Sequence, residues 1–202
     1  MLEIILEWFV CALAAAVLMI VHELSKAAVY MGIQKAKGNK RTYTHSIWAL
    51  HRYLDPVGII LSITSGVTFS KPFMFRIQDK KVNRILGIIG FMVLLLMFAG
   101  SMAALKLHVF GVSGMTTLEE RGVLIKCITL YIQYTAILSL GMLLTNLFPV
   151  STFDMGLLIA SVSSQKYLGI IRMDALIKII FIVTVFLDLI YYGSYRLIHL
   201  LL

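Results

Sequence analysis

Apolar residues run almost unbroken over four stretches of this chain, 4–21, 86–107, 123–148 and 176–197, with polar and basic residues gathered between them. A bilayer-spanning helix needs about 20 mostly apolar residues, so each stretch predicts a membrane span. The first continues past Val21 through a polar motif towards Gly32. A shorter run, 57–69, follows Pro56, a good first-turn residue, and ends near Pro72. It is short for an untilted crossing and predicts a fifth span or a re-entrant segment. The run 155–162 predicts a short helix, and 163–174 a polar connection. The expected fold is therefore an all-α polytopic membrane protein with four to six transmembrane helices, built as a single domain over residues 1–202.

Composition supports this reading. Of 202 residues, 60% are hydrophobic and only 14% charged, against about 25% charged in soluble domains. Mean hydropathy is +0.93. The net charge of +8 does not imply nucleic acid, because the basic residues sit in connections: Lys35, Lys37, Lys40 and Arg41, then Lys71, Arg76, Lys80, Lys81 and Arg84. That is the pattern of loops beside anionic headgroups. With five full spans these two basic loops would fall on opposite sides, which favours the re-entrant alternative for 57–69. Cys11 and Cys127 lie in apolar runs without metal-type spacing. Glu3 and Glu7 stand where a cleavable signal would carry positive charge.

Charges within the spans are costly and usually mark function. Glu7, Lys126 and Lys178 lie near span ends, where side chains reach the interface. Asp188 is deeper, without a partner that sequence can name. The tight cluster is Val21-His22-Glu23-Leu24-Ser25-Lys26. Residues four apart on a helix lie about 40° apart around its axis, so His22 and Lys26 share a face, with Glu23 beside them. The run 123–148 ends in a second polar motif, Asn146-Leu147-Phe148-Pro149-Val150-Ser151-Thr152-Phe153-Asp154. An aspartate there calls for a cationic partner.

Together these motifs resemble the site-2 proteases, intramembrane zinc metalloproteases, in their short form without a PDZ domain. That family carries HExxH on one helix and N-x-x-P-x-x-x-x-D-G on another. Here His22-Glu23, Asn146, Pro149 and Asp154 match, as do Asp55-Pro56-Val57-Gly58 and, more loosely, Gly66 to Lys71-Pro72. The resemblance covers roughly residues 10–165. It implies zinc held by His22 and Asp154, Glu23 as general base, and Asn146 and Pro149 positioning the substrate or the motif turn. The departures are Lys26 in place of the second histidine, Met155 in place of the glycine, and Ser151 and Thr152 in place of prolines.

A protonated lysine has no lone pair for zinc, and neighbouring carboxylates favour its charged form. The expectation is that Lys26 takes the metal's place and pairs with Asp154, Glu23 or both. The protein would then be a metal-free, catalytically impaired pseudoprotease that binds membrane helices or a partner protein. One alternative is an active zinc protease with a substitute ligand, His51 first, then His45 or His108. A second is a small transporter or channel component with Lys26, Glu23 and Asp154 along an ion path, against which stands the lack of an internal repeat.

Overall fold

A computed structural model describes residues 2–38, 49–74, 79–107 and 123–201. Among these the chain is helical, without a strand: α1 Leu2–Ala36, a 3₁₀ turn Leu50–Tyr53, α2 Pro56–Ser65, α3 Lys80–Lys106, α4 Val123–Asn146, α5 Asp154–Val162, α6 Ser164–Phe186 and α7 Leu189–Leu201. Three helices, α1, α3 and α4, are long and apolar enough to cross a membrane. They pack around Leu18, Met19, Leu94, Leu138 and Met142, all fully buried.

Local chemistry sets the helix ends. Gly38, at φ +75, follows α1 and donates back to Lys35 O, as a left-handed glycine does beyond a helix. The Asp79 carboxylate caps α3 by accepting from Lys81 N and Val82 N, and also accepts from Lys37 Nζ. The Lys37 ammonium holds the Asp79 carboxyl below the usual carboxylate range. That contact sets the end of α1 beside the start of α3. At the opposite end, Lys126 Nζ lies 2.6 Å from Glu3 Oε1, joining the starts of α4 and α1.

The segment expected at 57–69 is only partly helical. Its helix, α2, has ten residues and is about 15 Å long, half of a hydrocarbon core of roughly 30 Å. Asp55 caps it through Val57 N and Gly58 N. Gly66 ends it at φ +58 with Tyr191 packed where a side chain would project. The chain then turns back: Thr68 Oγ1 donates to Gly58 O, and Lys71 N reaches Tyr53 O, just before α2 begins. Gly58 is required here, because a Cβ would strike Phe69 O. This helix-and-return unit enters and leaves at one end of the bundle, so the basic connections around Lys37 and Lys71 share that end.

The stretch 176–197, expected as a fourth span, does not form one continuous helix. Its residues divide between α6 and α7 at Leu187–Asp188, where Asp188 takes φ +53. Aspartate is among the few residues that tolerate this region. The expected polar connection 163–174 is instead the first half of α6, capped by Ser163 Oγ on Lys166 N. Polar residues on an exposed helix face gave that stretch the look of a loop.

Candidate functional site

His22, Glu23 and Lys26 project from one face of α1 and are all but fully buried. Asp154, the first residue of α5, is brought to them by the turn after α4 and is itself fully buried. Asn146 shapes that turn: its Nδ2 donates to Met142 O at 2.9 Å, and its Oδ1 accepts from Asp154 N at 3.2 Å. Both functional groups of Asn146 therefore serve the turn. Pro149 sits exposed in it. Gly90 of α3 faces the Asp154 carboxylate, and a Cβ there would overlap it.

The four charged groups interlock. Lys26 Nζ lies 2.8 Å from Asp154 Oδ1 and 2.6 Å from Glu23 Oε1. His22 Nε2 lies 2.8 Å from Asp154 Oδ2. His22 Nδ1 lies 3.1 Å from Ser70 Oγ and 3.2 Å from Glu23 Oε1. Ser70 Oγ donates to Glu23 Oε1 at 2.7 Å, and Phe73 N donates to Glu23 Oε2 at 3.0 Å. The two imidazole nitrogens thus face Ser70 and Glu23 on one side and Asp154 on the other, tying the ring into the cluster. The Lys26 ammonium bridges the two carboxylates, and each carboxylate is hydrogen-bonded, as buried charges must be.

This arrangement does not fit a catalytic zinc. Ligand atoms about 2.0–2.2 Å from a tetrahedral zinc stand about 3.4 Å apart. His22 Nε2 and Asp154 Oδ2 are closer, at hydrogen-bond distance, with Lys26 Nζ against the second aspartate oxygen. No group of three or more His, Cys, Asp or Glu side chains among the described residues is placed to hold a metal ion. His51 is exposed on the 3₁₀ turn, outside the cluster; His45 and His108 lie outside the described residues. Glu23 accepts from Lys26, Ser70 and Phe73. Ser70, His22 and Asp154 have the composition of a hydrolytic triad, but the Ser70 proton goes to Glu23 and Ser70 does not line the adjoining cavity.

That cavity, of about 370 Å³, has Glu23 and Lys26 on one wall and Phe73, Met74, Tyr167 and Asp174 on others. Helix α6 is tied over it: Asp174 Oδ1 accepts from Ser151 N at 3.0 Å and Tyr167 Oη donates to Ser151 O at 3.3 Å. Lys178 pairs with Asp174 at 2.6 Å, an i,i+4 contact along α6. Glu7 and Asp188 face a different cavity, at the end where α1 begins.

Sequence reasoning missed Ser70, Phe73 N and Gly90. Ser70 was within reach, one residue before Lys71-Pro72 in the stretch that resembles a family element. Gly90 carries no motif, and only the approach of α5 to α3 reveals its role. Compared with protein-family models, curated proteins and solved structures, the chain matches none. The likeness to site-2 proteases therefore rests on the motifs.

Proposed function

We propose that this chain is a site-2-protease-like, multi-pass membrane protein that binds a membrane-embedded helix, in a substrate-like or partner protein, without cutting it. The observation that supports the reading is the position of the Lys26 ammonium, paired with both Glu23 and Asp154 where a metal and its water would otherwise be needed. A lysine there satisfies the two buried carboxylates without zinc and without an activated water. On this reading a site-2-protease-like fold and its cavity are kept, while Glu23 serves as an ion-pair partner of Lys26. Zinc is no part of this reading, and the bilayer is the remaining partner.

The test is to incubate the full chain, reconstituted in liposomes, with proteins carrying single membrane-spanning helices. The reading expects pull-down or crosslinking of a helix that stays intact by mass spectrometry. Cleavage within the helix, abolished by Glu23→Gln, would overturn it in favour of an active protease.

A further inference from the structure

An ammonium has three N–H donors. Two of those on Lys26 are used, on Glu23 Oε1 and Asp154 Oδ1, and the third has no protein acceptor among the described residues. Lys26 is 2% exposed, and it lines the cavity beside the cluster. A buried donor without an acceptor is costly, so whatever enters the cavity gains by offering one. We infer that Lys26 is a binding residue as well as a structural one: its third N–H takes a backbone carbonyl oxygen from a locally unwound peptide segment in the cavity. This inference rests on the helix-binding function proposed above and identifies the contact that would anchor the bound segment.

The charge balance favours a neutral acceptor over an anion. The Lys26 ammonium is already shared between Glu23 and Asp154, and Glu23 and Asp174 border the cavity. An incoming carboxylate or phosphate would meet these acids without net positive charge to hold it. A peptide carbonyl carries no net charge and accepts strongly from an ammonium. The other walls, Pro72, Phe73, Met74, Leu157 and Ile171, suit the apolar side chains of a membrane segment. Carbonyls inside an intact helix are committed to its own hydrogen bonds. Away from the helix ends, a segment interrupted by glycine or proline has one to give.

The probe is a fluorescent Leu/Ala peptide of about 20 residues, long enough to span, with a central Gly-Pro interruption. Its affinity for the full chain in detergent is measured alongside a set of analogues, each with one backbone amide near the interruption replaced by an alkene that lacks the carbonyl. One position is expected to lose affinity about tenfold or more, the scale of a hydrogen bond to a charged donor. In Lys26→Met that position should lose its special cost. If Lys26→Met does not fold, Glu23→Gln/Lys26→Met/Asp154→Asn, which removes the carboxylate charges with the ammonium, serves instead. Binding with no sensitive carbonyl, or with a sensitivity that persists without Lys26, overturns the anchor and leaves helix binding standing; a water then satisfies the third N–H. No binding of the uninterrupted or the interrupted peptide overturns the helix-binding proposal together with the anchor.

Discussion

Replacing Lys26 by methionine shortens the side chain by one atom and removes the charge and its donors. In the native chain the ammonium stands 2.6 Å from Glu23 and 2.8 Å from Asp154. At an effective dielectric constant of about 20, each such pair is worth roughly 6 kcal/mol of Coulomb attraction before desolvation is subtracted. Burying the three groups consumes much of that gain, so the pairs add little beyond a well-packed apolar replacement. Removing one partner is different, because two buried carboxylates are left together without the ammonium between them. The expected cost is about 3–5 kcal/mol. For a chain of this size that corresponds to roughly 6–20 °C in thermal midpoint, at about 2–4 °C per kcal/mol. The assay is thermal unfolding of the detergent-solubilised protein, followed by its tryptophan fluorescence. Lys26→Met/Asp154→Asn should recover part of the loss, since one stranded charge disappears, and the two substitutions should be clearly non-additive. A Lys26→Met midpoint equal to that of the native chain would refute the interlocked cluster.

Three further outcomes follow from the geometry. Gly90→Ala should lower stability by about 1–3 kcal/mol, the scale of overpacking, because the new methyl meets the Asp154 carboxylate; Gly100→Ala, whose Cβ would have open space, is the control in the same unfolding assay. Asp55→Ala should cost about 1 kcal/mol through loss of the α2 cap, read as a lowered midpoint with helix content by circular dichroism nearly unchanged. Cysteines placed at Lys37 and at Lys71 should react with an impermeant maleimide from the same side of sealed vesicles, the cytoplasmic side by the positive-inside rule, and one at Lys106 from the other; labelling of Lys37→Cys and Lys71→Cys from opposite sides would break the helix-and-return description of 56–71.

Where sequence reading succeeded, it used local physics. The three long helices follow from uninterrupted apolar length, and α5 from a short apolar run after an acid. The pairing of His22 with Lys26 on one face follows from helical period, and the approach of Asp154 to Lys26 from the need of a buried acid for a cation. What was not legible depends on the chain meeting itself. The break at Asp188 could not be read from 176–197, because its apolar residues would suit one helix as well as two. The return of 67–71 along α2 is held by Thr68 against Gly58 and Lys71 against Tyr53, pairings that no periodicity announces. Ser70 and Phe73 N reach Glu23 only because of that return. His51 stood close in sequence to the Asp55 element and looked like a reserve ligand. Asp55 is occupied as a helix cap, and His51 lies outside the cluster on the exposed side of its turn.

Zinc content measured on two purified proteins bears most directly on the claim that Lys26 stands in for a metal. The native chain and Lys26→His are prepared in parallel, exposed to equimolar zinc, passed through a desalting column and assayed by mass spectrometry of the metal. The account predicts far less than one zinc per native chain and close to one per Lys26→His chain, lost again when Asp154→Ala is added. Stoichiometric zinc in the native chain, removed by Asp154→Ala, would contradict it.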